Sequence, residues 1–146
     1  MFELVSSRGP GPPPLFAGRP PLRRLDGRPL AVLVVEDEAL VALDLSTTIE
    51  ELGGTVIGTA ATVREAKDLA VRNVPDAVLM DIRLPDGDGV EAAAMIRRGT
   101  QPYIVFISGN TDPQTRQRIM RFGNAPLVAK PVTVDALLRA LGPALD

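Results

Sequence analysis

The chain has 146 residues, 45% of them hydrophobic, and a formal net charge of −2 at pH 7, which is enough for one domain with a buried core. It contains neither cysteine nor histidine, so disulfides, thiol nucleophiles, cysteine-based metal sites and a phosphohistidine within the chain are excluded. No apolar run approaches the roughly 18 residues of a membrane span, and no apolar signal core opens the chain, so we expect a cytoplasmic protein without membrane insertion.

Residues 1–29 differ from the rest of the chain, since they hold seven of the fourteen prolines and carry a net charge of +3, which leaves −5 for the remainder. Proline at this density disfavours regular helices and central strands. We therefore predict a disordered extension over 1–29, a folded domain over 30–142 and a short tail over 143–146. A solvated extension is the expected state of this basic segment, and contact with an acidic partner or a membrane surface is the alternative.

From Leu30 onward, short apolar runs alternate with segments of helical periodicity. The five predicted strands are residues 30–35, 55–59, 77–80, 103–107 and 127–129. The first and third are apolar throughout and end abruptly in acidic residues, as expected for strands that are buried on both faces and reach solvent at their carboxyl ends. The last one follows Pro126, which cannot donate to a ladder, and is therefore predicted at the edge of the sheet.

A helix is predicted after each strand from local start and stop signals. The predicted N-terminal caps are Thr62 with Glu65 in a capping box, Thr111 or Asp112 before Pro113, and Thr133. The predicted stops are Gly53-Gly54, Gly99, Gly123-Asn124 and Gly142-Pro143. Five strands alternating with five helices predict a doubly wound parallel sheet with helices on both faces.

Polar side chains follow the predicted strands at their carboxyl ends, where ligands bind in open α/β sheets. They are Glu36 and Asp37 after the first strand, Asp81 after the third, Ser108 after the fourth and Lys130 after the fifth. Three carboxylates in one place need a proton or a cation to balance their charge. An all-oxygen ligand set suits Mg²⁺, and the ammonium and hydroxyl groups suit a phosphate. The pattern predicts a metal site in which one carboxylate can act as a nucleophile.

Four segments at these strand ends resemble the signature of bacterial response-regulator receiver domains. They are Val34-Val35-Glu36-Asp37-Glu38, Met80-Asp81-Ile82-Arg83-Leu84-Pro85, Ile107-Ser108-Gly109 and Lys130-Pro131. The resemblance covers about residues 30–142 and implies a flavodoxin-like receiver topology with Asp81 as the phosphoacceptor. It further implies that Mg²⁺ is held by Glu36, Asp37, Asp81 and the backbone carbonyl of Arg83. By the same resemblance Ser108 and Lys130 contact the phosphoryl group, and the Lys130-Pro131 bond is cis.

The resemblance also implies the partners and the mode of action. The phosphoryl donor would be a sensor histidine kinase or a histidine phosphotransfer protein, because this chain has no histidine of its own. The domain would catalyse its own phosphotransfer and dephosphorylation, with Arg83 and Asn110 helping to set the lifetime of the phosphorylated form. We expect a single-domain response regulator that signals by phosphorylation-dependent protein contact or phosphorelay. The net acidic folded part argues against direct binding to nucleic acid.

One position departs from the family pattern and keeps other interpretations open. Leu127 stands where most receivers carry an aromatic residue, so the usual aromatic switch is in doubt, and the loop over 109–113 is the alternative source of output. A degenerate receiver that acts as a phosphorylation-independent scaffold is the second interpretation. An aspartyl-phosphate phosphohydrolase is the third interpretation. Such enzymes carry a D-x-D motif at one strand end, however, whereas this chain has Asp81-Ile82-Arg83 there.

The same residues could also have ordinary structural roles. The acidic residues after the first and third strands could cap turns or helix ends, and Lys130 could be a surface lysine. Together these roles would not be expected to place five such groups at one edge of a sheet. The arginines of the fourth predicted helix, Arg116, Arg118 and Arg121, could form a partner surface or a solvated helix face.

Overall fold

The computed structural model describes residues 20–123 and 125–146 of the chain. The disorder predicted for residues 1–19 falls outside the described residues and stays a prediction. Within the described ranges no helix is both long enough and apolar enough to cross a bilayer.

In the described ranges, seven strands and five helices follow one another. The strands are β1 (Ala31–Val35), β2 (Thr55–Ala60), β3 (Ala77–Asp81), β4 (Arg83–Leu84), β5 (Gly87–Asp88), β6 (Tyr103–Ser108) and β7 (Leu127–Ala129). The helices are α1 (Ala39–Glu51), α2 (Val63–Asn73), α3 (Gly89–Gly99), α4 (Pro113–Phe122) and α5 (Val134–Leu141), followed by a 3-10 turn over Gly142–Leu145. The two-residue strands β4 and β5 form a separate antiparallel ladder in a segment for which no strand was predicted. The fourth and fifth predicted strands correspond to β6 and β7.

The five longer strands form one parallel sheet in the order β2-β1-β3-β6-β7, which confirms the predicted doubly wound architecture. The predicted edge position of the last strand is also confirmed, since among the strands that the structure describes β7 pairs with β6 alone. The strand order reverses direction between β1 and β3, because β2 lies on one side of β1 and the later strands lie on the other. The carboxyl ends of these two strands therefore flank the switch point at which open α/β sheets bind ligands.

The sheet separates two apolar layers, because alternate side chains of each strand point to opposite faces. In β1, Val32 and Val34 pack in the layer that contains α1 and α5, whereas Leu33 and Val35 pack in the layer that contains α2, α3 and α4. All five residues of β3 are buried. This two-sided burial explains why the central strands are apolar throughout and end in acids only where they leave the core.

Side-chain caps begin four of the helices, and three of them were predicted from sequence. Thr62 Oγ1 accepts a 3.1 Å hydrogen bond from the Glu65 amide, and Glu65 Oε1 in turn accepts from the Ala61 amide at 2.8 Å. Thr133 Oγ1 accepts from the Ala136 amide at 3.1 Å. Of the two alternatives for α4 the cap is Asp112, whose Oδ1 accepts from the Thr115 amide at 2.8 Å. The fourth cap, Asp88 on α3, was not predicted.

The prediction that residues 20–29 belong to a disordered extension is wrong. The Leu22 side chain is fully buried in the core, and its backbone pairs with Leu52 O at 2.8 Å and with the Leu30 amide at 2.9 Å. Arg24 Nη1 lies 3.0 Å from Asp76 Oδ1, and the Leu25 amide donates to Leu145 O at 3.2 Å. A high proline content indicates that regular secondary structure is absent, but a segment without it can still pack against a core. The predicted tail over 143–146 is likewise mostly part of the 3-10 turn.

Candidate functional site

Three strands deliver buried polar side chains to the same edge of the sheet. Glu36 directly follows β1, Asp81 is the last residue of β3, and Ser108 is the last residue of β6. In the described part of the chain these are the buried residues with a polar or charged side chain, with exposures of 3%, 5% and 3%. Burying such groups is costly unless they are paired, so their convergence at one place indicates a site and not a packing accident.

The carboxylates of Glu36, Asp37 and Asp81 converge, as the sequence predicted. One oxygen from each lies within 4.8 Å of the others. The ammonium of Lys130, which follows β7, lies 2.8 Å from Glu36 Oε1 and 3.1 Å from Asp81 Oδ2. Glu38 Oε1 is 3.9 Å from the same ammonium, a proximity that was not predicted. The predicted cis peptide bond between Lys130 and Pro131 is confirmed.

The electrostatics of Lys130 reflect this acidic surrounding. Partial burial alone would lower the pKa of the Lys130 ammonium, but its interactions with Glu36 and then Asp81 outweigh that effect and raise the pKa above its ordinary value. Lys130 is therefore charged at neutral pH. It offsets part of the negative charge of the cluster, but one ammonium cannot balance three carboxylates.

The remaining charge makes the cluster suitable for a cation with oxygen ligands. Glu36 Oε1 is buried, and although it lies near Lys130 it accepts no well-aligned hydrogen bond from any described residue. Glu36 Oε2 accepts from the Glu38 amide at 3.1 Å, and Asp81 Oδ1 accepts from the Arg83 amide at 3.2 Å. These bonds fix the carboxylates but leave other lone pairs available. A hard divalent cation such as Mg²⁺ fits this donor set, which contains neither nitrogen nor sulfur.

An open cleft of about 480 Å³, here called the site cleft, reaches the cluster from solvent. Its lining residues are Asp37, Glu38, Asp81, Arg83, Ser108, Gly109, Asn110 and Lys130. Ser108 Oγ donates to Asn110 O at 2.7 Å and accepts from the Asn110 amide at 3.0 Å. The hydroxyl is thus bonded to its own loop, so contact with a phosphoryl group on Asp81 would require it to give up its bond to Asn110 O.

Leu127, which stands at the position of the usual aromatic switch, lies outside the site cleft. It pairs with Phe106 in the sheet, and its half-buried side chain lines a separate groove beneath α4. Leu127 therefore does not contact the proposed phosphorylation site. Its position suits a role in the conformational response of α4 and not in the phosphoryl transfer itself. Arg83 and Asn110 do line the site cleft, as their predicted influence on the phosphoryl lifetime requires.

Supporting residues that the sequence analysis missed hold the segment after Asp81. Asp88 Oδ1 accepts from the amides of Val90 and Glu91 at 2.7 and 3.3 Å, and Asp88 Oδ2 lies 2.6 Å from Arg118 Nη2. The spacing of Asp88 and Glu91 is that of a capping box, a local signal that could have predicted this cap. The contact with Arg118 joins residues distant in sequence, and no local pattern predicts it.

Known proteins of one family are similar to this chain in sequence. The family described as "Response regulator receiver domain" matches residues 32–142. The transcriptional regulatory protein PdtaR of Mycobacterium tuberculosis is 33% identical over 113 residues, which are 77% of this chain and 55% of that protein. The chain spans about half the length, or less, of the curated relatives that it matches.

Solved structures show the same fold. The signal receiver domain of a modulated diguanylate cyclase from Desulfovibrio desulfuricans G20 has 38% identity and a TM-score of 0.72, covering 79% of this chain and 92% of that one. CheY in the CheX-CheY-BeF3-Mg²⁺ complex from Borrelia burgdorferi has a TM-score of 0.79 and covers 87% and 98%. At 24% identity, that second match shows the fold alone.

Proposed function

Because the chain belongs to the response regulator receiver family, we propose that Asp81 accepts a phosphoryl group from a phosphohistidine on a sensor histidine kinase or a histidine phosphotransfer protein. The observation that carries this proposal is the arrangement around the Asp81 carboxylate. The Asp81 carboxylate is buried, lines the site cleft, and has the Lys130 ammonium 3.1 Å from Oδ2. A buried carboxylate beside a fixed cation is suited to attack a phosphorus atom whose negative charge would otherwise repel it.

The transfer follows from these groups. An Asp81 oxygen attacks phosphorus in line, and the new P–O bond forms as the P–N bond of the donor breaks. The phosphohistidine ring carries a proton on its other nitrogen, so the imidazole leaves as a neutral group. Negative charge spreads over the three equatorial oxygens, and Lys130 is placed to offset it. Glu36, Asp37, Asp81 and the backbone carbonyl of Arg83 would hold Mg²⁺, which supplies further neutralisation of the phosphoryl oxygens when bound.

Dephosphorylation returns Asp81 from the aspartyl phosphate to the free carboxylate. Water attacks phosphorus, the bond between phosphorus and the Asp81 oxygen breaks, and inorganic phosphate leaves with the carboxylate restored. Arg83 and Asn110 line the site cleft, which supports a role for their side chains in the access of this water. We propose that they tune the lifetime of the phosphorylated state, which then signals through contact with a protein partner or by onward phosphotransfer.

The test is the intact mass of the protein after incubation with acetyl phosphate, with and without Mg²⁺. The wild type is expected to gain one phosphoryl group only when Mg²⁺ is present, and Asp81→Asn is expected to gain none. Asp37→Asn removes one candidate ligand and should slow the reaction strongly without removing the acceptor. A phosphoryl group on Asp81→Asn at the wild-type rate would contradict the proposal. A wild type that accepts nothing from acetyl phosphate or from any histidine kinase would favour the scaffold interpretation.

A further inference from the structure

Helix α4 has few apolar contacts with the domain. Ile119 is the helix residue that lies fully in the core, while Met120 is 77% exposed. Phe122 adds a half-buried ring, which meets Phe106 edge to face at 5.2 Å and has the guanidinium of Arg97 4.4 Å above it. With so little apolar burial, the position of α4 depends strongly on its polar attachments.

One of these attachments is the ion pair between Arg118 on α4 and Asp88 at the start of α3. The two side chains are 37% and 29% exposed, and their charged atoms are 2.6 Å apart. Asp88 is itself rigidly held, because its other oxygen caps α3 through two backbone amides. The ion pair therefore fastens a weakly packed helix to a fixed point on its neighbour.

At its N-terminus the same helix is connected to the proposed phosphorylation site. Ser108 Oγ is bonded to the backbone of Asn110 in both directions, at 2.7 and 3.0 Å. Asn110 Oδ1 accepts from the Asp112 amide at 3.1 Å, and Asp112 caps the first turn of α4. Any displacement of Ser108 toward a phosphoryl group on Asp81 would pull on this chain of bonds and hence on α4.

We propose that the Arg118–Asp88 ion pair is a latch that holds α4 in its unphosphorylated position and opposes the movement transmitted from Ser108. The inference rests on the proposed function, since it concerns the regulation of the same site. Leu127 supports it: this residue lies beneath α4 but has no ring to turn between exposed and buried positions, so control of α4 falls to other contacts. Arg118 contributes by biasing the helix and does not contact the reacting atoms.

The latch predicts that breaking the ion pair makes the active conformation easier to reach and phosphorylation faster. Arg118→Ala and Asp88→Asn each remove the pair, and asparagine keeps the side-chain oxygen that caps α3. Each should raise the initial rate of phosphorylation by acetyl phosphate and Mg²⁺ by about two- to five-fold, as expected from the modest strength of a partly exposed pair. Arg121→Ala, an exposed arginine on the same helix, is the matched control and should leave the rate unchanged.

Two further measurements separate a latch from general loss of structure. The double variant Asp88→Asn/Arg118→Ala should be no faster than either single variant, because both remove the same contact. Hydrogen exchange in Arg118→Ala should quicken in α4 and not in β1 or β3. Equal rates in wild type, Arg118→Ala and Arg121→Ala, additive effects in the double variant, or faster exchange throughout the sheet would each overturn the latch. A wild type that is never phosphorylated would instead refute the proposed function, and the exchange experiment would still decide whether the pair holds α4.

Discussion

Gly89 lies directly against the backbone of Asp81, so closely that a methyl group on residue 89 would overlap the Asp81 carbonyl oxygen and lie 2.8 Å from Ile82 Cα. The Gly89 amide also donates to Ile82 O at 2.8 Å. The start of α3 is thus packed against the chain that carries the proposed phosphoacceptor. Only glycine permits this approach, since the obstruction is backbone and cannot rotate away.

Replacement of Gly89 by alanine is therefore expected to destabilise the domain and to displace Asp81. Overpacking of this kind costs about 1–3 kcal/mol. Urea denaturation should show the lower free energy of unfolding, and acetyl phosphate should phosphorylate the variant more slowly. Gly99→Ala, at the other end of the same helix where a methyl group meets nothing within 4 Å, is the control and should leave both quantities close to wild type. Equal behaviour of the two variants would show that the close approach is unimportant.

Leu22 should prove to be a core residue, although it precedes the part of the chain matched by the family. Leu22→Ala is expected to lower the free energy of unfolding by about 2–5 kcal/mol through lost burial and a residual cavity. Leu25→Ala, which truncates a leucine that is 71% exposed, should change it little. If thermal or urea denaturation found no difference between these variants, the packing of residues 20–29 on the domain would be refuted.

Val74 ends α2 with a backbone φ of 42°, a left-handed conformation that is unfavourable for a β-branched residue. It also precedes Pro75, which favours extended backbone at this position. Val74→Asn is expected to stabilise the domain by about 1 kcal/mol, because asparagine tolerates this conformation and the valine side chain is 60% exposed. Val71→Asn, at an exposed position inside the same helix, should give no gain. A lower melting temperature for Val74→Asn would show that the valine is not strained.

The carboxylate of Asp86 should make stability depend on pH. Its two oxygens accept hydrogen bonds from the amides of Val63 and Arg64 at 2.7 and 3.2 Å, at the N-terminus of α2. The bond from Val63 is the main cause that lowers the pKa of Asp86 below its ordinary value of 3.8. A carboxylate whose pKa is lower in the folded than in the unfolded protein adds to the free energy of unfolding. That contribution is fully present above the pKa of the unfolded state and is lost as the pH falls through the pKa of the folded state.

Wild type should accordingly be more stable than Asp86→Ala at pH 7, and the difference should shrink as the pH falls below about 4. Asp68→Ala removes an exposed carboxylate from α2, the helix whose first amides Asp86 binds, and is the matched control. The midpoints of urea denaturation, measured from pH 7 down to below about pH 4, would test this difference. A wild-type advantage over Asp86→Ala that stayed constant into strong acid would show that the ionised carboxylate is not responsible.

The sequence predicted the parts of the fold that depend on local periodicity and on topology. Buried strands that end in acids located Glu36, Asp37 and Asp81, and the rule that parallel strands share their carboxyl ends brought them together with Lys130. The capping box at Thr62 was found because all of its partners lie within a few residues.

Contacts between distant segments could not be predicted in this way. The pairing of Arg118 with Asp88 and the capping of α2 by Asp86 join different loops and helices, so neither leaves a periodic signal. The burial of Leu22 was missed because proline and glycine content says nothing about tertiary packing. The state of the Ser108 hydroxyl, bonded to its own loop, likewise depends on backbone geometry that residue identity does not specify.

The role of Asp81 as phosphoacceptor can be tested by identifying the residue that carries the phosphoryl group. Borohydride reduces an aspartyl phosphate to homoserine, so the protein should be phosphorylated with acetyl phosphate and Mg²⁺, reduced, digested and sequenced by mass spectrometry. Homoserine at position 81, and absent from an unphosphorylated sample treated in the same way, is the predicted result. Homoserine at position 37, or a stable phosphate elsewhere with position 81 unchanged, would contradict the assignment of Asp81.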